Sequence, residues 1–183
     1  MIALFISLSV IFSTDVRAFQ TYIEIIKTAI IAVSIRFMPK DLEIVFIPAC
    51  FITCLIILPI HQTLIYNIPS LIGGWTIGRH DSANVKGFMI FFIVNTLMIL
   101  YEFTIYNALI GMNLFLVYFQ VASGVLFRTF GSHVSDSVMH FVIIVFLLGD
   151  SLISSFIIYV FSRAIIKQVQ KIINKNHGVK NSL

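Results

Sequence analysis

The sequence predicts an all-α integral membrane protein, a bundle of four to five transmembrane helices followed by a basic amphipathic helix in the cytoplasm. Three observations favour this class. The 183-residue chain is 59% hydrophobic, and only 11% of its residues are charged, against roughly a quarter in soluble domains. Several apolar blocks approach or exceed the ~20 residues that a spanning helix needs. Residues 162–183 carry five basic residues and no acid.

Residues 1–18 are predicted to form a first span or a re-entrant helix. The apolar part, Met1–Ser13, makes a helix of only about 20 Å, which is shorter than the bilayer core. A cleaved signal peptide is the alternative, because Val16 and Ala18 fit a small-residue cleavage rule. No Lys or Arg precedes the apolar run, which favours a retained helix.

Residues 19–38 are predicted to form an amphipathic helix. Their apolar side chains recur at spacings of three and four residues, while polar side chains gather on another face. The polar positions are Gln20, Glu24, Lys27 and Ser34. Such a helix extends the first span, lies in the membrane interface or packs on the bundle, and the sequence leaves these alternatives open.

Four later segments are predicted to span the membrane: 44–66, 87–106, 108–127 and 138–161. Pro48 and Pro59 lie inside the first of them and are expected to bend it. The last three segments are separated by a turn before Gly111 and a loop after Arg128, because one helix over 87–127 would be about 60 Å long. Between the first and second segments, a cluster of glycines predicts a loop over residues 69–86.

The distribution of Lys and Arg predicts the orientation. With five spans, nine basic residues share the side of the C-terminal tail, and Arg79, Lys86 and Arg128 lie opposite. Basic residues concentrate on the cytoplasmic side, so we expect a cytoplasmic C-terminus and an external N-terminus, in a bacterial inner membrane. If residues 1–38 only lie on the membrane, four spans remain and the later topology is unchanged.

Asp150 is a lone acid at mid-depth of the last predicted span. Ser154 lies one turn away, and Asn95 and Gln120 reach similar depths in the two preceding spans, which predicts an intramembrane polar cluster. The interpretation we favour is a hydrogen-bonded or protonated acid that locks helices together. The alternative is a proton or cation site, or an acid that lines a pore.

Small residues near Asp150 predict close helix packing. Gly149, Ser151 and Ser155 lie on the last span, and Gly124 lies on the span before it. Such residues let another helix approach, either within one chain or between copies. Because a chain of this size buries little surface on its own, we expect a homo-oligomer.

The tail has two separate faces. Basic side chains recur every four residues, at Arg163, Lys167, Lys171 and Lys175, and isoleucines occupy the other side. One interpretation is an anchor on anionic phospholipid. The other is a helix that binds a cytosolic protein partner.

No constellation of catalytic, cofactor-binding or metal-binding residues stands out in the sequence. His133, Asp136 and His140 have suitable ligand types, but no fourth strong ligand lies nearby. Glu102 is predicted near the cytoplasmic end of its span, where an acid is cheaply solvated. Cys50 and Cys54 are expected to be ordinary buried thiols.

The predicted function is therefore non-enzymatic. We expect a membrane-embedded sensor or scaffold subunit that oligomerises and couples to a cytosolic partner, as in small bacterial accessory systems such as phage defence or immunity. The alternative is an oligomeric ion channel or pore with Asp150 in or near the lumen. Neither a cofactor nor a direct nucleic-acid contact is expected.

Overall fold

The computed structural model describes residues 17–80, 85–130 and 135–180. Within these ranges the chain is almost entirely helical and contains no strand, which confirms the all-helical class. The predicted helix at residues 1–18 falls largely outside them. The helices are α1 (Arg17–Phe37), α2 (Lys40–Ile57), α3 (Ile60–Gln62), α4 (Ile68–Arg79), α5 (Val85–Ile110), α6 (Leu114–Phe130) and α7 (Asp136–Lys180), and a π-helical turn at Thr63–Asn67 joins α3 to α4.

Two prolines set where the chain reverses direction. Pro39 precedes α2 and Pro59 precedes α3, each with an extended ψ of 141°. Leu58 is extended as well, at φ −111° and ψ 153°, because the ring of a following proline disfavours the helical conformation. The predicted span 44–66 is therefore interrupted, and Pro59 separates two helices instead of bending one.

The residues predicted as a loop form helix α4. Pro69 lies in its first turn, directly after the π-helical turn. Gly73, Gly74 and Gly78 lie within the helix and are buried. The loop prediction was wrong because it weighed glycine only as a helix breaker, whereas here the glycines are the surface on which another helix packs.

Helices α1 and α4 meet backbone to backbone at two glycines, which we call the glycine contact. A Cβ atom added to Gly74 would lie 2.6 Å from the Cβ atom of Ile31, and one added to Gly78 would lie 2.6 Å from the carbonyl oxygen of Ala32. The glycines are four residues apart, the spacing with which small residues let helices approach closely in membranes. Residues later in α4 contact residues later in α1, so the two helices run parallel.

Helices α5 and α7 run antiparallel. The ring centroids of Phe88 and Tyr159 are 5.7 Å apart, and further along α5 the hydroxyl of Thr96 lies 2.8 Å from that of Ser151, earlier in α7. The end of α5 and the start of α7 therefore lie at the same end of the bundle.

Helix α6 joins these two neighbouring ends. Its Tyr118 stacks on Phe103 of α5, with ring centroids 5.6 Å apart, and its Phe119 lies 5.2 Å from the ring of His140 on α7. If α6 crossed the bundle, α7 would have to begin at the end opposite to the one where α5 ends. The predicted span 108–127 is corrected accordingly, and the turn before it falls at Gly111, whose φ of +70° suits glycine.

Within the described ranges, two helices are long and apolar enough to cross a membrane: α5, and α7 over Asp136–Lys175. Their most apolar windows are only 6% and 17% buried, so their apolar side chains face outward, unlike those of a soluble core helix. Over its 45 residues, α7 extends about 67 Å, more than twice the ~30 Å hydrocarbon core. The predicted span 138–161 and the described part of the tail form one uninterrupted helix.

One end of the bundle collects most of the basic residues, and we call it the basic end. The Arg79 guanidinium at the end of α4 pairs with Glu43 at the start of α2, and Nη2 of Arg163 on α7 donates to the carbonyl oxygen of His80. Arg79 and Lys86 therefore lie beside the tail. The prediction that they lie opposite was wrong because α3 and α4 carry the chain back to this end.

Replacing Gly78 with alanine is expected to destabilise the fold by about 1–3 kcal/mol, because the added methyl group overpacks the glycine contact. The matched control is Gly149→Ala, since a Cβ atom at Gly149 meets nothing within 4 Å. The measurement is SDS-induced unfolding followed by circular dichroism. Equal unfolding midpoints for the two variants would contradict the close approach of α1 and α4.

Candidate functional site

The predicted polar cluster is assembled in part. On α5, the Asn95 amide donates to the hydroxyl oxygens of Ser155 at 2.9 Å and Ser154 at 3.2 Å on α7. One residue along, Thr96 meets Ser151. Hydrogen bonds of this type hold helices together where water is scarce. The cluster therefore joins α5 to α7.

Asp150 and Gln120 lie away from this cluster, and both are exposed on the single chain. Successive residues of a helix are 100° apart, so Asp150 points away from α5 while its neighbour Ser151 points towards it. The side chains that share its face are exposed and apolar, and we call this set the α7 seam. Its members are Phe146, Asp150, Ile153, Ile157 and Val160.

The four predicted packing residues divide into two pairs. Ser151 and Ser155 are fully buried between helices. Gly149 and Gly124 face open space, because a Cβ atom at either position meets nothing within 4 Å. The small residues that pack inside the chain are thus the serines of α7 and, on α4, the glycines that were assigned to a loop.

A second polar cluster, which sequence reasoning missed, lies inside the bundle at the level of the π-helical turn. Lys27 of α1 is 4% exposed, and its Nζ donates to Oδ1 of Asn67 at 3.1 Å. Glu24 lies one turn before Lys27 and within electrostatic range of both Lys27, which attracts it, and Glu102 of α5, which repels it. We call these four residues the interior charge cluster.

The signal for this cluster was the polar face of the predicted amphipathic helix, but the sequence left open which way that face points. Ser34 is also buried on α1, at 5% exposure, whereas Tyr22 is 66% exposed. Periodicity separates two faces of a helix without stating which one the other helices cover. An ionisable group held inside an apolar bundle requires partners, and here neighbouring helices supply them.

Glu102 does not lie near the predicted cytoplasmic end. It sits in the last third of α5, away from the basic end, and is half-buried. One turn further, the hydroxyl oxygens of Tyr106 and Tyr66 are 2.7 Å apart. The prediction failed because it counted α6 as a pass and so placed the ends of α5 on the wrong sides.

The four basic residues of the tail that were predicted to bind a partner or lipid have different surroundings. Arg163 is half-buried, with its guanidinium carbon 5.3 Å from the ring centroid of Tyr159. Lys167, Lys171 and Lys175 are exposed. Arg163 therefore anchors α7 to the bundle, and the lysines remain at the surface.

The apolar side of the tail leaves the bundle gradually. Ile166 is buried against α1 and α4, and Val169 packs on the same group of residues. One turn later, Ile172 is 61% exposed. Beyond Val169, Lys171, Ile172 and Lys175 are thus open on the projecting part of α7, while Ile173 remains half-buried.

The weaker candidates give no site in the described part of the chain. Nδ1 of His140 lies 2.6 Å from the backbone oxygen of Asp136, and His133 falls outside the described residues. No group of three or more potential metal ligands occurs among the described residues. Cys50 and Cys54 are buried and form no disulfide.

Replacing Lys27 with methionine is expected to lower stability by about 1–3 kcal/mol, since it leaves an amide and a nearby carboxylate without their cation. The control is Lys86→Met, which removes an exposed cation. The double variant Glu24→Gln/Lys27→Met should recover part of the loss. SDS unfolding followed by Trp75 fluorescence reports all three, and a double variant no better than Lys27→Met would show that Glu24 and Lys27 do not interact.

Comparisons with protein-family models, with curated proteins and with solved structures give no match to this chain.

Proposed function

We propose that the chain is a non-enzymatic membrane scaffold or sensor subunit that self-associates and couples to a cytosolic protein. The observation that carries the proposal is the continuity of α7. A single helix bears the exposed α7 seam around Asp150, the anchor at Arg163 and the projecting segment with its exposed lysines. A change in contacts at the seam can therefore be passed along one rigid element.

The proposed topology places the basic end of the bundle in the cytoplasm. Charge supports this orientation, because cations gather at that end and positively charged loops stay on the cytoplasmic side. The cations at this end are Arg36, Lys40, Arg79, Lys86, Arg163, Lys167, Lys171 and Lys175. In this topology the described helices make five passes, namely α1, α2, α3 with α4, α5 and α7. Helix α6 lies at the end opposite the basic end.

Self-association is supported by the surroundings of Asp150. An acid exposed to lipid at mid-membrane costs roughly 3 kcal/mol or more. Beside it on the α7 seam, Phe146 is 64% and Ile153 63% exposed. A second copy packed along this face would cover the apolar side chains and give the carboxyl a hydrogen-bonding partner. We therefore assign the seam to contact between copies.

Coupling to a partner is assigned to the part of α7 beyond Val169. Lys171 and Lys175 are exposed there together with Ile172. An apolar side chain between cations suits a groove with an acidic rim on a soluble protein.

Cysteine cross-linking tests the contact between copies. Ile153→Cys is expected to form disulfide-linked dimers in membranes treated with copper-phenanthroline, whereas Leu148→Cys, roughly 140° around the helix and 45% exposed, should not. Adding Asp150→Leu should reduce the dimer several-fold, and Asp150→Asn should preserve it. Equal cross-linking at the two cysteine positions would contradict assembly through the seam.

A second candidate function, an oligomeric pore, is favoured by the same exposed acid, since copies that meet along the seam bring their Asp150 side chains towards a common axis. Purified protein in liposomes separates the two functions. The scaffold proposal expects no proton or cation flux above that of empty liposomes. Flux that Asp150→Asn abolishes, while the dimer cross-link persists, would favour the pore.

Charge reversal tests the coupling to a partner. Lys171→Glu/Lys175→Glu is expected to remove a soluble protein that cross-links to the projecting end in cells, with membrane insertion unchanged. The matched control, Lys40→Glu/Lys86→Glu, makes the same charge change at two exposed positions of the same bundle end and should retain the partner. Loss of the partner in both variants would indicate a general dependence on surface charge instead of docking at the projecting end.

A further inference from the structure

An open cavity of about 470 Å³ lies between α1 and α7 at the basic end. Its lining residues are Arg36, Val160, Arg163, Ala164, Ile166, Lys167 and Gln170. Arg36 is contributed by the last turn of α1, and the others come from α7. The cavity is thus a product of the packing of two distant segments.

The polar lining of the cavity is cationic. Arg36, Arg163 and Lys167 face it, and none of the described residues that line it is acidic. Arginine presents a planar fork of donors that matches the oxygens of a phosphate group, and lysine adds a mobile point charge. Three cations around one cavity repel one another, so a bound anion would relieve the repulsion.

One of these cations is held in place by the fold. The Arg163 guanidinium donates to the backbone oxygen of His80 and lies over the Tyr159 ring, while Ile166 on the next turn is 4% exposed and packs into the bundle. A preorganised guanidinium loses less conformational entropy on binding than a free one. This distinguishes the cavity from the exposed lysines further along α7.

The position of the cavity along α7 indicates where its ligand comes from. The apolar run of α7 ends at Phe161, and Arg163 is the first cation after it. That places Arg163 about 20 Å along the helix from Asp150, a distance that reaches the headgroup layer from the centre of a bilayer. Val160, Ala164 and Ile166 form an apolar wall beside the cations.

We propose that this cavity binds the phosphate group of an anionic phospholipid of the cytoplasmic leaflet. Cationic pockets between helices at this level suit lipid headgroups, and the apolar wall favours a lipid over a soluble phosphate. This site goes beyond the scaffold function. It belongs to the isolated chain and requires neither a second copy nor the cytosolic partner.

The test is lipid binding by the purified full-length protein in a neutral detergent, measured by native mass spectrometry with phosphatidylglycerol, phosphatidylcholine or inorganic phosphate added. The unaltered protein is expected to retain phosphatidylglycerol in preference to phosphatidylcholine. Arg36→Gln should weaken this retention about tenfold. Lys171→Gln, which removes an exposed cation outside the cavity, should leave it unchanged.

Lys167→Gln keeps the test decisive if Arg36→Gln disturbs folding, because Lys167 is exposed and its replacement leaves the packing intact. It should weaken phosphatidylglycerol retention several-fold. Equal losses for Lys167→Gln and Lys171→Gln would overturn the site in favour of diffuse attraction to a charged surface. Displacement of the lipid by millimolar inorganic phosphate would overturn the lipid assignment.

Discussion

The glycine contact between α1 and α4 is the constraint on which the arrangement of the bundle depends. Because neither Gly74 nor Gly78 has room for a side chain, the two backbones approach closely in a parallel direction. That register places Lys27 of α1 opposite Asn67. It also brings the C-terminal ends of α1 and α4 to the basic end of the bundle. The interior charge cluster and the basic end both follow from it.

Helix α7 uses its faces differently along its length. Between Ser151 and Ser155 it turns one face to α5 and accepts the Asn95 and Thr96 side chains, while the α7 seam remains open on the other side. Past Arg163 it packs on α1, and beyond Val169 it projects. Because a continuous helix transmits rotation along its axis, these regions are mechanically linked. This linkage connects the proposed contact between copies, the lipid site and the partner site.

Sequence patterns anticipated the helical class, and they also indicated polar residues that join α5 to α7. They did not indicate which polar residues contact each other, because a step of one residue along a helix turns the side chain by 100°. Ser151 therefore contacts α5, while the neighbouring Asp150 does not. They also placed Lys27 on a polar face, but they did not identify its partner Asn67, which lies forty residues away in sequence. Such partners are fixed by packing between distant segments, for which a single sequence carries no direct signal.

By itself, the sequence determined the apolar composition, the apolar last span and the basic tail behind it, since these follow from the transfer of side chains between water and an apolar medium. Only the tertiary structure decided that the glycine-rich segment is a helix, that α6 joins neighbouring ends of α5 and α7, and that Arg79 and Lys86 lie beside the tail. The physical reason is that each of these depends on a contact between separated segments. Glycine weakens an isolated helix, yet it lets a helix pack closely where another backbone lies against it.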